Sequence, residues 1–274
     1  MNQHYHRKKR GIKMALLEVS FFSNQLGMNM TMNVILPQQE QNQIGIESSP
    51  TLKDIPVVYL LHGMSDDQSI WLRRTSIERY AAEYGFAVIM PTTHLGWYTN
   101  TMYGLRYWDF IAKELPAICH GFFPQLSTKK TRTFAAGLSM GGYGAFKLGL
   151  REPESFQAVA SLSGALGIAN EANFYDGNEA FWKGVFGEFH ELQHSENDLF
   201  YLAKTAADNR VPLPKFYLWC GEEDFLYQQN KAFETLGNEL GVDLTSSYSE
   251  GDHNWHYWDK EIQPILKWFH SLMN

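Results

Sequence analysis

Ser139 sits between two glycines in Gly137-Leu138-Ser139-Met140-Gly141-Gly142. A β-prone run, Thr133-Phe134-Ala135-Ala136, precedes it, and a helix-like run from Tyr143 to Leu148 follows. A strand that turns sharply into a helix at a serine lifts the hydroxyl above the sheet edge. Glycines two residues before and after remove side chains that would clash in such a turn. The chemistry this suits is nucleophilic attack on a carbonyl, with the Met140 amide N–H aimed at the negative charge that forms on the carbonyl oxygen. The plain alternative is a tight turn carrying a surface serine, but strand, turn and helix all fall where the nucleophile needs them.

A serine hydroxyl is weakly nucleophilic near neutral pH. It needs a base, and the base needs a group to orient it. Two segments that follow strand-like runs supply candidates. Gly221-Glu222-Glu223-Asp224 comes after 215–220, and Glu250-Gly251-Asp252-His253-Asn254-Trp255 comes after 244–249. Asp224 is the expected acid, with Glu222, Glu223 and Asp252 as alternatives. His253 is the expected base, and His256 is read as structural. A second oxyanion donor is expected from the loop His62-Gly63-Met64-Ser65, as the Met64 N–H, with Gly63 allowing close approach. His62 is read as support for that loop, because as a base it would stand in the wrong chain order. Trp97, Tyr98, Phe225 and Trp255 lie near these loops and are candidates for the pocket wall, each with a core role as the alternative.

These groups must be carried by a framework. Strands are expected at 15–23, 28–36, 57–61, 87–90, 132–138, 158–162, 215–220 and 244–249, with helices at about 74–84, 106–120, 141–151, 228–240 and 257–272. Val57-Val58-Tyr59-Leu60-Leu61 is apolar throughout, as a strand buried on both faces should be. From the third strand on, helices separate most strands, which predicts an α/β fold with an eight-stranded, mostly parallel sheet and helices on both faces. The first two strands, joined by a short turn, should be antiparallel. Residues 37–55 read as a polar loop, and Pro116 predicts a kink or break. Residues 165–210 lack strand character and carry many aromatics, so they are expected to form an inserted cap within a single domain over 14–274. The chain order Ser, acid, His is that of an α/β-hydrolase.

The chain has 274 residues, 44% of them hydrophobic and 15% aromatic, a globular composition. Five basic residues and no acid lie in the first thirteen, so the body is more acidic than the net charge of −7. Such a body disfavours nucleic acid and anionic membranes. Residues 1–13 are expected to be a disordered basic extension or a remnant of cloning. No secretory signal or membrane-length apolar run is legible. Two cysteines, Cys119 and Cys220, make no disulfide framework, which points to a cytoplasmic protein. A homo-oligomer stays open.

Taken together, the chain resembles the esterase D-like branch of the α/β-hydrolases, and within it the bacterial tributyrin esterases. The resemblance rests on Tyr59-Leu60-Leu61-His62-Gly63-Met64, Gly96-Trp97-Tyr98-Thr99-Asn100, the Gly137–Gly144 stretch, Gly221-Glu222-Glu223-Asp224-Phe225-Leu226 and His253-Asn254-Trp255-His256-Tyr257-Trp258. It covers about residues 14–272. It implies a serine carboxylesterase acting on short-chain acyl esters, acetyl to butyryl, with Ser139, Asp224 and His253 as its triad and no metal or organic cofactor. Relatives in that branch leave an S-formylglutathione hydrolase-type thioesterase and an acetylated-carbohydrate deacetylase as alternatives. Where the family often has Asp, this chain has Asn254. A non-catalytic binding module on the same scaffold would not need Ser, Asp and His intact and in order.

Overall fold

Alternation within short apolar runs sets the architecture. Val57, Tyr59 and Leu61 face one apolar cluster, while Val58 and Leu60 face a second, so this strand is covered on both sides. The computed structural model describes residues 13–38, 53–171 and 177–273. The basic head up to residue 12 and most of the expected 37–55 loop lie outside the described residues.

The strands are β1 (Lys13–Ser23), β2 (Met28–Gln38), β3 (Val57–Leu61), β4 (Ala87–Pro91), β5 (Thr133–Leu138), β6 (Ala158–Leu162), β7 (Lys215–Gly221) and β8 (Leu244–Ser249). They form one sheet in the order β1-β2-β4-β3-β5-β6-β7-β8. β2 pairs antiparallel with both β1 and β4, and the pairs from β4 through β8 are parallel. This is the eight-stranded, mostly parallel sheet expected from the sequence.

The register decides where chemistry can gather. Leu61 lies beside Gly137, Leu138 beside Leu162, and Gly221 beside Ser249. Five strand ends, those of β3, β5, β6, β7 and β8, therefore line one edge, and the residues after them emerge together, as parallel sheets require.

One sheet face packs against helices Met140–Arg151 and Tyr227–Leu240, through Phe146, Phe216 and Phe233. The other is covered by helices Ile77–Tyr84 and Trp255–Ser271, through Ile77, Phe134, Ile262 and Phe269. Pro116 does not break its helix. The backbone stays helical over 107–122, with a π-helical turn, Phe110–Glu114, just before the proline. A proline lacks the N–H that would bond to the carbonyl four residues back, and its ring crowds that carbonyl. A widened turn accommodates both effects.

Between β6 and β7 run a 3₁₀ turn, Ile168–Asn170, and helices Glu179–Phe186, Phe189–Leu192 and Leu199–Asp208. Trp182 and Phe186 pack edge-on against Trp97, with ring centroids 5.2 and 5.8 Å away. The segment thus joins the main core instead of standing off it.

Candidate active site

Ser139 stands between β5 and helix Met140–Arg151 with φ 73° and ψ −111°, a strained backbone for a non-glycine residue that costs about 1–3 kcal/mol. Neighbours hold it there. Its N–H donates to the Leu162 carbonyl at 3.0 Å, and its own carbonyl accepts from Tyr143 at 3.0 Å and Ala165 at 3.2 Å. The flanking glycines are required sterically. A Cβ on Gly137 would lie 2.4 Å from the Gly141 carbonyl, and one on Gly141 would lie 2.5 Å from the Leu61 oxygen.

Asp224 and His253 come to this serine from the ends of β7 and β8. The His253 Nε2 is 3.0 Å from the Ser139 Oγ, and its Nδ1 is 2.8 Å from Asp224 Oδ2. Asp224 is 4% exposed, and its other oxygen accepts the Leu226 N–H at 2.8 Å. An ionised carboxylate only accepts, so Nδ1 carries the imidazole proton and Nε2 is free to accept from the serine. A hydroxyl, an imidazole and a buried carboxylate in this order can pass the hydroxyl proton to the imidazole while the carboxylate steadies the cation.

The other acids have different partners. Glu222 and Glu223 are exposed, and the Glu223 carboxylate accepts the Gly251 N–H at 2.6 Å. Glu223 N–H returns a bond to the Gly251 carbonyl at 3.0 Å, and Glu222 N–H donates to Ser249 at 2.9 Å. The loops bearing Asp224 and His253 are thus clasped together. Asp252 accepts from the Asn254 side chain, and Asn254 Oδ1 caps the last helix through the His256 N–H at 2.8 Å. The His253 ring lies between Phe225 and Trp258, at 4.6 and 4.8 Å. Trp258 is itself anchored by its indole N–H on Ser163 Oγ at 3.1 Å.

On the other side of Ser139, Met140 is the first residue of helix Met140–Arg151, where backbone N–H groups lack helical acceptors. Met64 follows Gly63 on the loop after β3. His62 fixes that loop from beneath. Its Nδ1–H donates to the Gly63 carbonyl at 2.7 Å, and its Nε2 accepts the Thr93 N–H at 2.9 Å. Burial lowers its pKa to about 4, so the ring is neutral at pH 7.

A cavity of about 580 Å³ opens over the serine. Met64, Trp97, Phe225, His253 and Trp255 all line it, as does Trp258, which the sequence reading had not singled out. Trp258 could have been found: it lies three residues after Trp255 on the same helix and therefore on the same face. Tyr98 is corrected. It does not line the cavity but is fully buried, its hydroxyl donating to the His62 carbonyl at 2.9 Å. Trp97 and Tyr98 both have positive φ, 48° and 50°, and only the tryptophan reaches the cavity.

The model of the family described as "Putative esterase" matches residues 23–269. The chain belongs to that esterase family. It is 30% identical over 267 residues to an acetyl esterase of Caldicellulosiruptor saccharolyticus, covering 94% of this chain and 99% of that protein. Two solved structures from Staphylococcus aureus are each 34% identical and cover 94% of this chain. One is FphF, a fluorophosphonate-binding serine hydrolase, with a TM-score of 0.84 over 98% of its chain. The other is the S-formylglutathione hydrolase FrmB, with a TM-score of 0.82 over 99% of its chain. The esterase has the α/β-hydrolase fold and is a serine carboxylic ester hydrolase.

Proposed function

We propose that this esterase cleaves short-chain acyl esters, acetyl to butyryl, through an acyl-enzyme on Ser139. The observation that carries this reading is the hydrogen-bonded run from Ser139 through His253 to Asp224 at the floor of an aromatic cavity. Ser139 attacks the ester carbonyl as His253 takes its proton, and Asp224 holds the ring and stabilises the imidazolium. The Met64 and Met140 N–H groups receive the oxyanion; one such donor is worth about 3–4 kcal/mol in the transition state. His253 then protonates the leaving alcohol, and water releases the acid by the reverse sequence. Trp97, with Trp182 and Phe186 behind it, supports a short acyl site, because those rings leave little room beyond it.

A thioester substrate is the second reading, favoured by the likeness to FrmB, an S-formylglutathione hydrolase. The likeness to an acetyl esterase keeps acetylated carbohydrate as a third substrate class. The cytoplasmic reading rests on two free, buried cysteines. No helix among the described residues is long and apolar enough to cross a membrane.

The test is a p-nitrophenyl ester series from acetyl to palmitoyl, with S-formylglutathione alongside. Rates should peak between acetyl and butyryl. Ser139→Ala should lose turnover and fluorophosphonate labelling while keeping its circular dichroism. Activity retained in that variant would refute the serine assignment, and a rate rising steadily to palmitoyl would refute the short acyl site.

A further inference from the structure

The walls of the cavity are mostly apolar, with one carboxyl group that the mechanism does not use. Asp66 contributes a half-buried carboxyl to the lining, and among the lining residues no other acidic side chain occurs. It sits on the loop that carries the Met64 amide. Its N–H donates to the Gly63 carbonyl at 3.3 Å, and a Cβ built on Gly63 would lie 3.3 Å from its Oδ2. The carboxyl is therefore packed directly over the residue beside the oxyanion donor.

A carboxylate there opposes the charge that develops on the substrate oxygen. A substrate group that donates a hydrogen bond to it removes much of that field on binding. Location decides which part of the substrate this is. Met64 and Ser65, next to Asp66, are exposed, as is Phe225 elsewhere in the lining, so the Asp66 loop borders the cavity's solvent-facing mouth. Trp97, by contrast, is a buried part of the lining, closed off from water by Trp182 and Phe186 behind it. A short acyl group fits the closed side, and the alcohol must leave by the open one.

We propose that Asp66 is a specificity-determining residue that selects esters whose alcohol portion carries hydroxyl groups, as in polyol and sugar esters, and rejects those whose alcohol portion is anionic. This rests on the reading of Ser139 as the nucleophile. Burial, with Asp67 adding to it and Arg74 opposing, raises the Asp66 pKa to about 6, so at pH 8 the carboxyl is ionised. On this account a glutathione thioester, whose leaving thiol portion is anionic, is disfavoured.

The experiment compares kcat/KM at pH 8 for the full chain and for Asp66→Asn and Asp66→Ser on matched butyrates. The alcohol portions are ethyl, 2-hydroxyethyl, glyceryl and carboxymethyl, and ethyl 4-hydroxybutyrate carries its hydroxyl on the acyl side instead. In the wild type, hydroxylated alcohols should exceed ethyl by about tenfold, the scale of a hydrogen bond to a charged group. Both variants should lose most of that preference and gain several-fold on the carboxymethyl ester relative to ethyl. The ratio of ethyl 4-hydroxybutyrate to ethyl butyrate should not move. Unchanged ratios in both variants, or a change confined to the acyl-side hydroxyl, would overturn the proposal. Rates are scaled to sites titrated with fluorophosphonate, so a misfolded variant is not misread. Failure of the underlying reading is distinct: the wild type would then neither label nor turn over any of the esters.

Discussion

Gly141→Ala tests whether the serine turn and the oxyanion loop are one packed unit. The added methyl would meet the Leu61 carbonyl oxygen at 2.5 Å and that of His62 at 2.7 Å, where ordinary contact begins at 3.4 Å. Both obstacles are backbone, so roughly an ångström of separation must come from moving β3's end away from helix Met140–Arg151. Those two elements carry Met64 and Met140. Overpacking of this kind costs about 1–3 kcal/mol of stability. For a chain of this size that lowers Tm by about 3–9 °C. On the proposed role of the Met64 and Met140 amides, the loss in kcat should be larger, on the order of 10²–10³, because displacing one oxyanion donor removes about 3–4 kcal/mol of transition-state stabilisation. The assay is p-nitrophenyl acetate turnover beside thermal melting. Gly121→Ala is the control: that glycine is helical and exposed with nothing within 4 Å, so alanine should stabilise by up to about 1 kcal/mol and leave kcat alone. If Gly141→Ala kept wild-type kcat while melting several degrees lower, the link between this contact and the oxyanion donors would be wrong.

Stability against pH should show two opposed titrations. His62, lowered from 6.5 to about 4 by burial, contributes in full above pH 6.5, and that stability is lost as pH falls toward 4. Asp66, raised from 3.8 to about 6 mainly by burial, behaves the other way: its contribution is full below 3.8 and is lost as pH rises through 6. Asp66 is half-buried, so solvent screening reduces its share to about 1 kcal/mol. Asp66→Asn should accordingly melt about 2–4 °C higher at pH 8 and lose that margin by pH 4; equal or lower Tm at pH 8 would count against it. The thiols are a further check. Burial pushes Cys119 up to about 12 and raises Cys220 as well, so Ellman's reagent should find no reactive thiol in the native enzyme and two after denaturation. Rapid native labelling would contradict that burial.

The reactive groups were legible because a parallel sheet brings strand ends to one edge. Once Val57–Leu61, Thr133–Leu138, Lys215–Gly221 and Leu244–Ser249 are strands, His62, Ser139, Asp224 and His253 must emerge near one another. Sequence could rank Asp224 above its neighbours only by its distance from the strand end. The structure adds what ranking could not: Glu223 is occupied in clasping Gly251, and Asp224 turns inward under the Leu226 amide. Tyr98 was misplaced because adjacency to a pocket residue does not say which way a side chain turns. Of the kink or break expected at Pro116, the break does not occur, because a π-helical turn, which local composition does not announce, keeps the helix continuous.

Lys147 shows most clearly where a linear reading stops. In a helix, a lysine ordinarily marks the solvated face. Helix Met140–Arg151 has no such face before its last residue, and Lys147 is fully buried. Its ammonium donates to the Tyr98 carbonyl at 3.0 Å and to the Asn197 side-chain oxygen at 2.5 Å, and it lies 4.9 Å from the Trp108 ring centre. Asn197 also accepts from Thr99, and its carbonyl accepts the Tyr143 hydroxyl at 2.9 Å. A buried cation is tolerated only where such acceptors converge on it. Here they come from segments about fifty residues away on either side. That convergence ties the strained 97–98 turn and the helical segment after β6 to the helix that follows Ser139. The Trp97 wall of the cavity and the serine turn are in this way tied to one buried amine, whose partners no local pattern around residue 147 could reveal.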